Sequence, residues 1–229
     1  MKVLQIIDSL PTGGGARFIV SSVPVFNALG VETDVLLLDG TETDFYKELE
    51  EKTTGQILSL TNGKRWSLFN ISKIIPYFKN YDLVHAHIFP GSYFAAAAKM
   101  FSGSITPLVF TEHNSQNRRA VHPVFKYIEK AVYRQFSKVI CLTDQVEDFV
   151  LKNLKVDPDK LLVIENGIDL DGVKNAVPYN KTVFHCQPSD RLVLMAARME
   201  AQKDQDTLIR AMANLPESFK LLLAGEGSR

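Results

Sequence analysis

Cysteine is scarce in this sequence, net charge is absent, and no apolar run is long. The 229 residues hold two cysteines, Cys141 and Cys186. Two thiols cannot build a disulfide framework, and Cys141 lies inside an apolar run, so both read as reduced intracellular thiols. The 26 basic residues are balanced by 26 acidic ones. Bulk nucleic-acid binding wants a basic footprint, which this balance argues against. The longest apolar stretches are strand-length, which excludes a transmembrane helix. The opening segment, Met1 to Asp8, reads as a short strand that soon meets polar residues, not as a signal peptide. No internal repeat or low-complexity segment occurs. A soluble, cytoplasmic chain is expected, with any membrane association peripheral and at the inner face of the cytoplasmic membrane.

What the sequence does contain is a regular alternation. Continuous apolar runs of strand length occur at Val3–Ile7, Thr33–Leu38, Gln56–Leu60, Leu83–Ala86, Leu108–Thr111, Lys138–Leu142 and Leu161–Ile164. Continuous rather than alternating apolar residues mark strands buried on both faces, the signature of a parallel sheet. Helical spacing separates most of them: Ala16–Leu29, Asp44–Lys52, Ser67–Phe78, Gly91–Phe101, Val124–Phe136 and Asp144–Leu154. This β-α alternation predicts an α/β fold with a doubly wound parallel sheet. Pro24 falls inside the first helix and is expected to kink or shorten it.

From Asp169 to Asp190 the pattern lapses, and Gly172, Pro178 and Pro188 punctuate it. A new β-α-β unit follows at Leu192–Ala196, Asp206–Met212 and Phe219–Ala224. The expected organisation is a first domain at 1–172, a linker at 173–190, and the start of a second domain at 191–229. One β-α-β unit is too small to bury its own sheet, so the chain is expected to be a piece of a longer protein.

Candidate functional residues gather at strand ends, where open α/β sheets form their ligand crevice. After the first strand, Gly13-Gly14-Gly15 precedes a helix; glycines let the backbone approach a ligand, and the helix N-terminus offers N–H groups to a phosphate. A dinucleotide fingerprint needs a third glycine where Phe18 stands, although Asp39 near the end of the second strand keeps a nicotinamide reading open. Asp82-Leu83-Val84-His85-Ala86-His87 ends another strand with two histidines on one side; His87 is the better crevice candidate and His85 the better packed one. Thr111-Glu112-His113 ends the next, followed by polar Ser115-Gln116-Asn117-Arg118-Arg119. A histidine there can bind a sugar hydroxyl or position a reacting group. His87, His113 and Glu112 are metal-ligand types, but nothing in their spacing singles out a metal.

Lys126, Lys130 and Arg134 recur every four residues and form one helix face, suited to anionic lipid headgroups or simply to water. Lys64-Arg65-Trp66 is a second segment suited to interfacial contact. Arg198 and Lys203, at a strand end just before a helix, could together neutralise a diphosphate.

Taken in order, these segments resemble the retaining glycosyltransferases of GT-B fold family 4. The resemblance rests on Gly14-Gly15, Asp82–His87, Thr111-Glu112-His113, Asn166-Gly167-Ile168-Asp169 and Arg198…Lys203, and covers nearly the whole chain. Arg17 stands where many members carry glutamate, and Ala197 and Asp204 replace the usual glycines around the Arg/Lys pair. The family's paired-glutamate motif would lie beyond Arg229, so little transferase activity is expected of these 229 residues alone.

The resemblance implies a Rossmann-like acceptor domain (the GT-B N-terminal domain) facing a Rossmann-like donor domain. It implies sugar transfer from a nucleoside-diphosphate sugar to a lipid-linked or polysaccharide acceptor, with retention, in cell-surface glycan biosynthesis such as lipopolysaccharide or capsule. Arg198 and Lys203 would stabilise charge on the departing diphosphate near Gly13, Gly14 and Gly15, so no metal and no cofactor is required. His113 would sit beside the transferred sugar. His87, Glu112, Asn117, Arg118 and Arg119 would lie on the acceptor or sugar side, and Asn166 and Gly167 at the interdomain crossing. Two other readings stay open: a nicotinamide-dependent enzyme, and a non-catalytic binding domain.

Overall fold

The computed structural model describes residues 1–114 and 117–228. Ser115 and Gln116 of the polar segment, and the terminal Arg229, lie outside the described residues. The chain forms two compact units, Met1–Asp169 and Leu170–Arg229.

The first unit is a seven-stranded sheet with α-helices between the strands. Its elements run β1 (Lys2–Ile7), α1 (Gly14–Ala28), β2 (Glu32–Leu37), α2 (Asp44–Lys52), β3 (Ile57–Ser59), α3 (Phe69–Ile74), β4 (Leu83–His87) and α4 (Gly91–Ser102). Then come β5 (Leu108–Glu112), α5 (Arg118–Val121), α6 (Phe125–Arg134), β6 (Lys138–Cys141), α7 (Asp144–Leu154) and β7 (Leu161–Val163). The strand order is β3-β2-β1-β4-β5-β6-β7, and every neighbouring pair is parallel. This is the α/β doubly wound fold expected from the apolar runs. The chain winds outward from β1 to β3, then returns to β4 on the other side of β1. A crevice therefore opens at the carboxyl ends of β1 and β4, the topological switch point.

Both faces of the sheet are covered. Leu4 and Ile6 of β1 and Leu36 of β2 belong to one buried cluster with Phe78, Phe94, Tyr133 and Phe136. Their sequence neighbours Ile7, Val35 and Leu37 belong to a second cluster with Ile19, Val20 and Val23 of α1. Alternate side chains of one strand thus serve opposite cores, which is why these strands read as continuous apolar runs.

Three helices depart from the expectation. Pro24 lies inside α1, yet the helix continues past it to Ala28. Burial of Ile19, Val20 and Val23 holds the helix to the sheet against the loss of one backbone hydrogen bond. The expected helix at 67–78 is shorter, Phe69–Ile74, and passes into a 3₁₀ turn at Ile75–Lys79 whose first residues include Pro76. After β5, where the sequence shows a polar segment and no helical spacing, Asn117 caps α5, its side-chain oxygen accepting from the Arg119 N–H at 3.1 Å.

The second unit contains α8 (Leu170–Lys174), β8 (Arg191–Ala196), α9 (Gln205–Met212) and β9 (Phe219–Ala224), with β8 and β9 paired in parallel. The stretch read as a linker, 173–190, takes in the last two residues of α8 and a 3₁₀ turn at Lys181–Phe184.

Candidate functional site

The loop after β1 carries Gly13, Gly14 and Gly15 into the first turn of α1, and Gly13 is its N-cap with no side-chain hydrogen bond. The space beside Gly13 and Gly14 is open: a Cβ on either would meet nothing within 4 Å. Gly15 is different. A Cβ there would fall 2.2 Å from Cδ1 of Ile88 and 3.8 Å from Cγ of His113. The glycine loop is therefore packed directly beside the ends of β4 and β5. Ile88, the residue after β4, has φ +49°, a left-handed conformation rarely adopted by a β-branched residue. Such strain is held where the surroundings dictate it and is typical of functional sites.

Three histidines meet at this point. His87 is fully buried, with its Nε2 2.6 Å from Oε1 of Gln5 and its Nδ1 3.1 Å from Nε2 of His113. His85 packs on the His87 ring at 4.1 Å between centroids, and its Nε2 lies 2.8 Å from the Thr111 hydroxyl. The Phe18 ring sits 5.6 Å from both His87 and His113. Phe18 thus packs on the rings in the place where a dinucleotide loop would need glycine. Burial lowers all three pKa values: His85 to about 3, His113 to about 4, and His87 well below the ordinary value. The cluster is neutral at physiological pH. Among the described residues no group of three or more His, Cys, Asp or Glu is arranged to hold a metal ion.

Glu112 is buried at the end of β5. It accepts from the Tyr133 hydroxyl at 2.7 Å and from the backbone and side chain of Asn114 at 3.0 and 3.2 Å. Burial raises its pKa, opposed by the Tyr133 hydrogen bond. The Arg119 Nε donates to the buried Glu129 at 2.7 Å, and Tyr93 donates to the same carboxylate oxygen. The Arg119 guanidinium also lies 4.1 Å from the Phe89 ring centroid. Glu112, Asn117, Arg119, Glu129, Tyr93 and Tyr133 line one small cavity together with apolar residues such as Phe89 and Phe110. Of the expected acceptor-side residues, only Arg118 is exposed; Arg119 is half-buried, and His87, Glu112 and Asn117 are buried. Arg17 is also engaged, donating to Glu48 at 2.7 Å and lying 4.0 Å from the Phe45 ring centroid. Asn166 and Gly167 follow β7 and are exposed.

In the second unit Arg198 and Lys203 are exposed; Arg198 precedes a 3₁₀ turn at Ala201–Lys203, and Lys203 is its last residue. Asp204 follows with φ +52° and caps α9 through its side chain. This position demands a left-handed backbone, which explains why aspartate can replace glycine there. The Arg198 carbonyl is fixed by the Gln205 side chain at 2.8 Å.

Two site residues escaped the reading of the sequence, and both had a signal. Gln5 is a polar residue in the middle of an apolar central strand, where it needs a buried partner. Glu129 shares a helical face with Tyr133 and Phe136 (i, i+4, i+7), so it points inward while its lysine neighbours do not.

A doubly wound parallel sheet with a glycine loop and histidines at its switch point is the N-terminal architecture of GT-B glycosyltransferases. Residues 12–171 match Glycosyltransferase Family 4, and the chain belongs to that family. It is similar to the UDP-Gal:alpha-D-GlcNAc-diphosphoundecaprenol alpha-1,3-galactosyltransferase of Escherichia coli, 31% identical over 115 residues, 48% of this chain and 29% of that protein. It is also similar to the N-acetylgalactosamine-N,N'-diacetylbacillosaminyl-diphospho-undecaprenol 4-alpha-N-acetylgalactosaminyltransferase of Campylobacter jejuni, 26% identical over 141 residues, 59% of this chain and 37% of that protein. The chain thus spans about a third of the length of these relatives. Among solved structures, Anabaena HepE in complex with UDP and glucose superposes with a TM-score of 0.83 at 20% identity, covering 100% of this chain and 62% of that one. That likeness is one of fold.

Proposed function

We propose that the chain is part of a retaining glycosyltransferase that moves a sugar from a nucleoside-diphosphate sugar to a lipid-linked or polysaccharide acceptor in cell-surface glycan synthesis. The observation that carries this reading is the packing of Gly15 against Ile88 and His113 at the switch point, because it joins a phosphate-type glycine loop to a neutral histidine. The open space beside Gly13 and Gly14 suits the donor diphosphate, and His113 suits the transferred sugar. Arg198 and Lys203, free of ion pairs among the described residues, supply positive charge for the departing diphosphate. Asn166 and Gly167 serve the interdomain crossing. Arg118 faces the acceptor, while Glu112, Asn117, Arg119 and His87 shape that side from beneath. The relatives named for diphosphoundecaprenol substrates support a lipid-linked acceptor, and HepE supports a uridine nucleotide.

No described helix is long and apolar enough to cross a membrane; for a lipid-linked acceptor we propose peripheral contact at the cytoplasmic face. Helix α6 supports it. Lys126, Lys130 and Arg134 share the helix with Phe125, Tyr127 and Ile128, which are exposed, and its acidic Glu129 is turned inward to Arg119. Arg134 is exposed with these apolar side chains, and Lys126 and Lys130 are half-buried; such a mixture of basic and apolar groups suits an anionic lipid surface.

Titration calorimetry with UDP, GDP and ADP and their sugar conjugates tests the reading. Binding of one nucleotide, weakened by Arg198→Ala or Lys203→Ala, is expected. Folded protein that binds none of them would remove the donor-site assignment. A nicotinamide enzyme would instead bind NAD, which the Phe18 packing disfavours.

A further inference from the structure

We infer that Gln5 and His87 act as positioning residues that hold His113 in a single neutral tautomer, with Nε2 protonated and Nδ1 bare. The consequence is that His113 presents only a hydrogen-bond acceptor to its ligand, and so takes a sugar hydroxyl and refuses a phosphate oxygen. The sugar contact rests on the function proposed above; the tautomer does not.

Gln5 lies in β1 between Leu4 and Ile6, both wholly buried, and is itself only 2% exposed. Its Oε1 faces Nε2 of His87 at 2.6 Å. A carbonyl oxygen has no proton to give, so His87 Nε2 must carry the hydrogen of that contact. His87 is sealed from water and its neighbours at this point are aromatic rings and the imidazoles of His85 and His113. Nothing among them stabilises an imidazolium, so His87 is neutral and its Nδ1 is a bare lone pair. That nitrogen lies 3.1 Å from Nε2 of His113, which must then supply the hydrogen between them. His113 is left with an unprotonated Nδ1, for which no hydrogen bond is present among the described residues.

A bare imidazole nitrogen accepts from a hydroxyl or an amide. Against a phosphate oxygen, also an acceptor, it is repulsive. The relay therefore divides the work of the site. Open backbone at Gly13 and Gly14 is left to the diphosphate, and His113 is tuned to the sugar. Gln5, which reaches His113 only through His87, sets the polarity of that choice.

The tautomers are read directly from two-bond ¹H–¹⁵N correlation spectra of the chain labelled at histidine, at pH 7.5. The protein has 5 histidines, few enough to assign by single substitutions. We expect His87 and His113 both in the Nε2–H form. Gln5→Met keeps length and volume but removes the acceptor, and is expected to shift His113 towards a mixture with the Nδ1–H form. Wild-type His113 in the Nδ1–H form would overturn the relay even if Gln5→Met fails to fold. A folded Gln5→Met protein with unchanged tautomers would overturn it as well. The sugar contact is tested separately by adding UDP-glucose and UDP, then the guanosine and adenosine counterparts. A shift of the His113 Nδ1 signal with a sugar nucleotide but not with its nucleotide is expected. Expected tautomers without a response to any sugar nucleotide would retain the relay and sink the sugar contact.

Discussion

Arg119 donates to Glu129 at 2.7 Å across a bend in the chain, tying α5 to α6 through a carboxylate that is 1% exposed on its side chain. Of the two adjacent arginines after β5, one is thereby spent on structure and the other, Arg118, is left in solvent. Removing Arg119 strands a buried carboxylate that, among the described residues, retains only the Tyr93 hydroxyl. Arg119→Met should therefore destabilise the chain by ~2–3 kcal/mol, below the ~3–5 of a wholly buried pair because the guanidinium keeps part of its surface in water. Arg119→Met combined with Glu129→Gln should recover most of that loss. Urea unfolding of the two variants checks the prediction, and equal stabilities would refute it. Arg118→Ala should leave the unfolding midpoint unchanged while weakening acceptor binding.

The glycine loop separates fold from ligand in a similar way. A methyl group at Gly14 meets nothing within 4 Å, whereas one at Gly15 meets Ile88 at 2.2 Å. Gly14→Ala should keep or slightly raise thermal stability, since alanine loses less conformational entropy in a helix. Its effect should appear in nucleotide-sugar affinity, on the order of tenfold, or ~1.4 kcal/mol. Gly15→Ala should lower both stability and affinity, because Ile88 already holds a strained backbone. A Gly14→Ala protein that binds sugar nucleotides as well as wild type would place the diphosphate elsewhere.

The sheet was legible because parallel strands buried on both faces leave continuous apolar runs, and Val3–Ile7 and Thr33–Leu38 are nearly the strands observed. That the glycine loop and His113 fall at strand ends was legible because the apolar runs stop just before them. What sequence could not supply was partnership. The adjacency of Gly15, Ile88 and His113 arises from three different strand ends. Gln5 acquires its role only when β1 lies beside β4, with Gln5 paired to His85 in register and its side chain reaching His87. Glu129 likewise sat within a run of lysines that drew attention to charge, when its helical spacing to Tyr133 had placed it inside.

Vesicle binding should report the exposed face of α6. Each Lys or Arg near an anionic surface contributes ~1 kcal/mol, or about fivefold in affinity, and the attraction is screened within about 8–10 Å in physiological salt. The chain should sediment with vesicles rich in phosphatidylglycerol and not with purely zwitterionic ones. Lys126→Glu with Lys130→Glu should abolish most of that binding, and Phe125→Ser should weaken it without altering its salt dependence. Equal binding to both vesicle types would leave α6 as an ordinary solvated helix.

Acid should unfold this protein earlier than its carboxylates alone would require. His85 and His113 have pKa values of about 3 and about 4 in the folded chain, and His87 lies well below the ordinary value, each lowered first by burial. In the unfolded chain all three titrate near ~6.5. The stability that comes from keeping them neutral is fully present above that value. As pH falls from ~6.5 towards ~4, the unfolded state takes up protons that the folded state refuses, and stability is lost. Each histidine contributes up to ~1.4 kcal/mol per pH unit in this window. Glu112 and Asp8, whose carboxyls are raised by burial, act with the opposite sign, adding stability as pH falls through their raised values towards the ordinary carboxylate range. Urea midpoints at pH 7.5, 6.5 and 5.5 should therefore change little over the first interval and fall steeply over the second. His85→Gln removes one of the three titrating groups while leaving His87 and His113 in place, and should flatten the second slope by about a third. An unchanged slope in that variant would mean that His85 is not buried in its neutral form in the folded protein.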